Sequence, residues 1–572
     1  MRTTQDEAAY LSHLQGLYRK AWPKDANTAP HYPHGEVPLT DYLGAWAKER
    51  PDTPAVIHYG HVTTYAELDA ASNRFAHLLA SEGVKPGDRV AVFLPNMPQY
   101  QTVFFGILKA GAVHVPVSPM SRAFELAHEL NDTQAVLLVA LDELMPVVRE
   151  VQANGDARAL RQVYVTGFAD LLPAAPTLPV PDSLRAPRIA CPDAKELMTA
   201  LATMPSTRPA HEPQLDAIAA LNYTGGTTGL PKGCIHTQRD MLYTAASNFG
   251  IALERAPDTV FLSFFPQFWI AGENLGVIFP VFCGAPLVLL SRWDPVAVMA
   301  AVQRYKVTCM AMPVDGAVEM MDRDDFGQYD LGSLRQVRVV SFVKKLNLAY
   351  RRRWQQLTGG ILAEAAWGMT ETHTSDTFTT GFQDGDDDLH AQPVFVGLPV
   401  PGTQFKICDF ETGALKALGE DGEIRVRTPS LLKGYWNRPE ATAEAIVDGW
   451  LRTGDIGLID ADGFLHFLGR KKEMLKVKGM SVFPPEIEAV LGQHPAVLGS
   501  GVIGRTDPQR GELPVAFVLL KPEADAATAV QSLTDWCASR MASYKLPEIR
   551  LVSALPMTAT GKVKKQDLAT LL

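Results

Sequence analysis

The chain is 572 residues long, 47% of them hydrophobic, and carries a formal charge of −10. That length fits about three or four domain-sized units, and the acidic balance argues against a protein whose main partner is a nucleic-acid backbone. Six cysteines (Cys191, Cys234, Cys283, Cys309, Cys408 and Cys537) are scattered without a C-x-x-C pair, the usage of a reduced, cytoplasmic protein and one that offers no zinc site.

The opening residues 1–7 are polar and acidic and do not read as a signal peptide. Apolar positions at helical spacing predict a helix over 65–82, then a strand over 90–94, a helix over 100–110 and a strand over 113–117. This alternation points to an α/β layered fold with largely parallel sheets. Residues 172–213, rich in Pro and Ala, are expected to be a linker or excursion without firm structure. The apolar run 218–221 reads as a buried strand and leads into residues 223–233, where four glycines, three threonines and Lys232 fall within eleven positions. Glycines let backbone N–H groups turn inward and approach a ligand closely, hydroxyls add donors, and a lysine adds a point charge; together they describe a polyphosphate cradle. Lys232 is not followed by Ser or Thr, so the spacing is not that of a Walker A loop.

The longest apolar stretch, 275–290, is broken by Pro280, Gly284 and Pro286 and is expected to be a buried helix and strand, not a membrane span. The acidic run 384–388 is expected to be a solvated loop. Short alternating segments over 422–435 and 450–467 predict an antiparallel β subdomain, with residues 450–455 ending a strand. After Gly469 the pattern changes to a compact unit with two amphipathic segments and a strand at 514–520. The last residues, 569–572, are not a peroxisomal address.

Five further segments place polar groups where a featureless chain would not. They are Trp367-Gly368-Met369-Thr370-Glu371, the Thr453-Gly454-Asp455 turn, the basic run from Arg470 to Gly479, Pro484-Pro485-Glu486, and a tight turn carrying Lys562. Each is weak alone, and the basic run reads equally well as a solvated face. In this order, after the glycine–threonine loop, they make the chain resemble the acyl-adenylate-forming superfamily of acyl-CoA synthetases, firefly-type luciferases and peptide-synthetase adenylation domains. The resemblance runs from about residue 39 to the C-terminus, and residues 108–112 and 422–424 match its weaker motifs.

The resemblance implies a large N-terminal domain (1–470) of layered α/β subdomains plus a β subdomain, and a small mobile α+β C-terminal domain (471–572) hinged at Lys472. It implies that Thr224, Gly225, Gly226, Thr227, Thr228, Gly229 and Lys232 hold the ATP phosphates, that Thr370 contacts the α-phosphate, and that Glu371 ligates Mg²⁺. Trp367 would lie along the adenine or acyl site, Asp455 and Arg470 would bind the ribose hydroxyls, and Lys476 and Gly479 would border a channel for CoA. Lys562 would reach in from the C-terminal domain to the substrate carboxylate and the α-phosphate. His236 and His373 are expected to be structural or supporting groups.

Three departures bear on the acid. Trp269 stands where the family often has His, Gln238 where it commonly has a second His, and Ser341-Phe342-Val343-Lys344-Lys345 replaces a small Gly-Gly-Ala segment. Lys344 or Lys345 would meet a second acidic group on the substrate, or the segment is a solvated turn. Phe264, Phe265, Phe268 and Trp269 form an apolar wall that, with Ser341 and Phe342, favours a fatty or aryl acid. The first expectation is therefore a free-standing acyl-CoA ligase using ATP, Mg²⁺, CoA and a small carboxylic acid, with no nucleic-acid partner. Loading of a carrier protein, or a non-catalytic ATP-binding regulator, are the alternatives.

Overall fold

The structure, a computed structural model, describes residues 4–224, 231–253, 256–341, 343–390, 394–477, 480–508, 510–558 and 561–572. Two seven-stranded sheets build most of the first part. One orders Leu362–Glu364, Gln336–Val340, Cys309–Pro313, Phe261–Ser263, Leu287–Leu289 and Pro54–His58 in parallel, with His61–Thr64 antiparallel at its edge. The other orders Lys195–Glu196, Gln162–Thr166, Leu137–Leu141, Arg89–Phe93, Val113–Pro116 and Ile218–Tyr223, with Gly233–Thr237 antiparallel at its end. The strands read as apolar runs because parallel sheets are covered on both faces: Val90, Ala91, Val92 and Phe93 are all buried.

Helices Leu39–Glu49, Tyr65–Ser81, Pro98–Lys109, Gln238–Asn248 and Phe279–Cys283 share one core that joins these sheets, with Phe104, Phe105, Leu242 and Phe282 at its centre. Tyr65–Ser81 starts where it does because Thr64 and Glu67 close a capping box, Glu67 N–H donating to Thr64 Oγ1 at 3.2 Å and Thr64 N–H to Glu67 Oε2 at 2.8 Å. An antiparallel sheet of Thr377–Phe378, Phe395–Pro399, Leu465–Arg470, Trp450–Ile459, Gly422–Arg427 and Gln404–Cys408 follows. Its core takes in Leu14 of the first helix, Thr4–Ala21. A separate five-stranded sheet, with Gly511–Leu520 at its centre and Val497–Asp507 along one edge, has its own cores over Leu475–Cys537 and Val515–Leu568. Among the described residues no helix is long and apolar enough to cross a membrane.

Three expectations need correction. Residues 172–213 are not a loose linker: Lys195–Glu196 adds an edge strand, Leu197–Ala202 is helical, and Leu178, Leu184, Leu197 and Leu201 are buried. The acidic run is solvated only in part: Asp384 and Asp387 are exposed, whereas Asp386 and Asp388 are buried. Arg351, 1% exposed on helix Leu348–Thr358, donates to Asp386 at 2.9 Å and to both Asp388 oxygens at 2.8 and 2.6 Å. A buried guanidinium demands such partners, since an unpaired buried charge costs several kcal/mol, on the order of 3 to 5. Trp450–Ile459 begins at the segment expected to end a strand, so Asp455 lies mid-strand.

Candidate active site

The glycine–threonine loop is the turn of a hairpin. Tyr223 pairs with Gly233 across antiparallel strands, Thr224 N–H donates to Lys232 O at 3.0 Å, and Lys232 N–H donates to Thr224 Oγ1 at 3.4 Å. These bonds fix the neck of the loop; Gly225, Gly226, Thr227, Thr228 and Gly229 lie outside the described residues. Among the described residues the next helix starts at Gln238.

Lys232 is aimed at a partner that no sequence motif marks. Its ammonium lies 4.5 Å from the ring centre of Tyr435, a cation–π distance, and the Tyr435 hydroxyl donates to Glu371 Oε1 at 2.9 Å. Backbone bonds tie the three together. Ile235 N–H donates to Gly434 O at 3.0 Å, Lys433 N–H to Ile235 O at 2.9 Å, and Leu432 N–H to Glu371 O at 2.8 Å. Burial, then the Glu371 charge, push the Tyr435 phenol well above its ordinary range, so it stays a proton donor.

Thr370 and Glu371 sit in a single 3₁₀ turn, Thr370–Thr372, followed by three residues in the left-handed region: His373 (φ 61°), Thr374 (φ 61°) and Ser375 (φ 57°). Each costs about 1 kcal/mol or more for a side chain other than glycine. The strained stretch is held by neighbours. His236 Nε2 lies 2.8 Å from Thr370 O, Asn274 Nδ2 donates to His373 O at 3.2 Å, and the Thr372 hydroxyl donates to Asp376. Gly368 is required because a Cβ there would lie 2.4 Å from Ser375 N.

Behind this turn is a buried polar cluster that the sequence reading missed, although a lone carboxylate beside an apolar stretch was its signal. Glu273 faces His114 Nδ1 at 3.5 Å, His373 Nε2 at 3.9 Å and Asn222 Nδ2 at 3.3 Å. Burial pushes its carboxyl up to about 8 and holds His114 and His373 down to about 3, so all three are neutral at pH 7. Folding thus leaves Glu273 protonated where the unfolded chain is ionised. Its contribution to stability is complete below the unfolded pKa of 4.5 and is lost as pH rises through about 8. The melting temperature is expected to fall between about pH 5 and 8, and Glu273→Gln to flatten that slope; parallel slopes would show that Glu273 is not its source.

The second group of candidates spans the two parts of the chain. Asp455, 2% exposed, sits on Trp450–Ile459 with Arg470 Nε 2.6 Å from its Oδ1 and Trp367 Nε1 donating to its Oδ2 at 3.0 Å. Burial raises the Asp455 carboxyl, opposed by Arg470 and the indole. Trp367, expected along the adenine or acyl site, is 7% exposed, packs against Phe405 in the β-subdomain core and turns its indole to Asp455.

Lys562 lies on a turn closed by Thr558 N–H donating to Lys562 O at 2.7 Å and Lys562 N–H to Thr558 Oγ1 at 3.0 Å. Its ammonium stands 5.9 Å from the Trp269 ring centre, with Asp455, Arg470 and Glu473 among its charge neighbours. The side chain opens into the cleft, yet protein crowds its ammonium on most sides. That desolvation, and then Arg470, hold it below the usual lysine range. Lys565 ties the same tail to the crossover, bridging Glu473 and Glu488 at 3.0 Å each. Lys472 lies in the crossover turn Lys471–Glu473, where burial and Arg470 lower its pKa.

Phe268 and Trp269 are half-buried, with Trp269 facing Lys562, whereas Phe264 and Phe265 belong to the core. Ser341 is anchored, its N–H and hydroxyl donating to Glu364 at 3.0 and 2.5 Å; Phe342 lies outside the described residues. Lys344 is buried and its N–H meets Asp315 at 3.2 Å, so the segment is not a solvated turn. Lys476 stands exposed on Leu475–Val477, its N–H on Glu512 at 2.5 Å, and Gly479 lies outside the described residues. The structure thus brings Lys232, Tyr435, Glu371 and Thr370 into one group, and Trp269, Asp455, Arg470 and Lys562 into another.

Residues 43–436 match the family described as AMP-binding enzyme, and residues 486–562 match the AMP-binding enzyme C-terminal domain. A long-chain-fatty-acid–CoA ligase of Bacillus subtilis (strain 168) is 31% identical over 566 residues, 96% of this chain and 98% of the relative. Among solved structures, the anthranilate CoA ligase AuaEII in complex with anthranoyl-AMP is similar with a TM-score of 0.81 and 29% identity, covering 95% of this chain and 98% of that one. ATP-bound MatB from Rhodopseudomonas palustris is similar with a TM-score of 0.77 and 26% identity, covering 93% and 98%.

Proposed function

The chain belongs to the AMP-binding enzyme family and is an AMP-forming acid–thiol ligase, and we propose the division of labour by which its own residues activate a fatty or aryl acid and pass it to CoA. The carrying observation is the Lys562 ammonium over Trp269 beside Asp455 and Arg470, a cation from the C-terminal part facing the cleft of the N-terminal part. We take residues 1–470 and 471–572 as the two domains, with Lys472 as the hinge.

In the first half-reaction the acid's carboxylate attacks the α-phosphorus of ATP and pyrophosphate leaves. Two anions must meet, so the chain's task is to neutralise charge. The hairpin loop between Thr224 and Lys232 receives the β- and γ-phosphates, Lys232 adding a cation steadied by the Tyr435 ring. Asp455 suits the two ribose hydroxyls, because Trp367 and Arg470 hold its carboxylate in place. Thr370 contacts the α-phosphate, and Lys562 donates to the attacking carboxylate and the α-phosphate oxygens.

Glu371 fits Mg²⁺: its carboxylate is half-exposed, Tyr435 takes one oxygen, and a hard cation that keeps its waters needs only one or two protein carboxylates. Mg²⁺ supplies charge neutralisation to the phosphate oxygens when bound. In the second half-reaction the C-terminal domain turns about Lys472, withdraws Lys562 and presents residues 476–479 to CoA. The thiolate is already a strong nucleophile, so positioning matters more than a dedicated base.

An acid panel tests this reading. Acid-dependent pyrophosphate release with CoA consumption is expected for fatty or aryl acids; release without CoA use would make a carrier protein the acceptor, and no release would leave a binding protein. Run on Trp269→Gly, the panel is expected to shift its preference towards bulkier acids, since an indole is removed from the cleft wall. An unchanged profile would take Trp269 out of the acyl pocket.

A further inference from the structure

One of the three departures from the family pattern, residues 341–345, includes a point where the two parts of the chain meet. Val343 packs against a cluster of Val515, Phe517, Leu555 and Leu568, all on the C-terminal side. It enters because strand Val497–Asp507 lacks a side chain there: a Cβ at Gly499 would lie 2.3 Å from Val343 Cγ1. Beside it, Lys345 Cγ lies 3.7 Å from the Cβ position of Gly492, at the end of helix Pro484–Gly492, and its charge acts on Glu488 and Lys562.

The knob stands on a braced base. Ser341 is held by Glu364, Leu346 N–H donates to Ser341 Oγ at 3.0 Å, Lys345 Nζ donates to Ser341 O at 2.8 Å, and Lys344 N–H donates to Asp315. The socket is equally close to the chemistry, because Val563, the neighbour of Lys562, packs on the same cluster. Val343 and the turn that carries Lys562 thus share one apolar cluster.

We propose that Val343 is a positioning residue, seating the C-terminal domain in the arrangement that brings Lys562 to the cleft, so that it governs adenylate formation and not thioester formation. This rests on Lys562 serving the first half-reaction. Withdrawing a valine from an apolar socket biases a two-state arrangement by about 10- to 100-fold. The contacts of Val343 and Gly499 on this face are with each other and with Leu555 and its cluster, so the effect passes through domain seating.

The test uses the full-length protein with two variants, each assayed for acid-dependent pyrophosphate release and for thioester formation from supplied acyl-adenylate. Val343→Asp is expected to lower the first rate by about 10- to 100-fold with the second unchanged or raised. Gly499→Ala, which adds a methyl into the space Val343 occupies, is expected to act in the same direction, with melting temperatures near wild type. Equal loss of both rates, or no loss in either variant, would overturn the seating role. Lys562→Ala in parallel separates the premises. Normal release there sinks the lysine's assignment, whereas loss there with normal Val343→Asp rates sinks the seating alone.

Discussion

Replacing Lys562 by Ala is expected to lower acid-dependent pyrophosphate release by about a hundred- to a thousand-fold, the usual loss when one preorganised donor to a developing charge is removed. Thioester formation from supplied acyl-adenylate should be largely spared. The asymmetry is the point. Joining a carboxylate to a polyanion needs a cation at the shared oxygens, and Lys562 is held in the cleft by a turn that Lys565 ties to Glu473 and Glu488. Thiolate attack on the mixed anhydride takes place at the acyl carbon with AMP leaving, and in this reading Lys562 has by then been withdrawn with its domain. Lys562→Arg keeps the charge but not the reach of a compact ammonium, and should recover only part of the rate. If both half-reactions fall equally in Lys562→Ala, the lysine serves the fold or the binding of nucleotide and not the first step alone.

What was legible in the sequence follows from how the information is carried. Residues 218–233 stood out because a glycine–threonine–lysine hairpin after a buried strand is an unusual local pattern, whereas Thr370, Glu371 and Lys562 stood out only through the order of segments that carries the family resemblance. The alternating strands and helices of the first sheets were readable from their periodicity; Val90–Phe93 reads as a buried strand and is one. Legibility ended where a residue's meaning depends on a distant partner. The 384–388 run looks solvated until Arg351, 37 positions before Asp388, is packed against it. Trp367 keeps the motif's residue type, yet its indole turns to Asp455, 88 positions away.

Tyr435 carries no local mark, since its place beside Glu371 is set by a bridge between Cys234 and Tyr435 and by Leu432 bonding to Glu371. Glu273 and His114 meet only because two strands and a helix converge, and neither sequence neighbourhood names the other. Val343 drew notice as a departure, but its socket lies some 150 residues further along, at Gly499.

Glu371→Gln is the second change expected to abolish most of the activity, again by about a hundred- to a thousand-fold in pyrophosphate release. Glutamine keeps the size and an acceptor oxygen, so the Tyr435 hydroxyl, now 2.9 Å from Oε1, retains its partner and the turn its shape. What goes is the negative charge that a hard divalent cation requires. Among the described residues no group of three or more His, Cys, Asp or Glu side chains offers a substitute cage, so the loss is not shared out among neighbours. The Mg²⁺ concentration for half-maximal rate should therefore rise steeply, while the melting temperature stays near that of wild type. Tyr435→Phe sharpens the reading: it leaves the charge and removes only the hydroxyl, so it should cost far less and leave the Mg²⁺ requirement nearly unchanged. A Glu371→Gln enzyme that loses rate without any change in Mg²⁺ dependence would mean that the carboxylate braces Tyr435 and Lys232 and does not meet the cation.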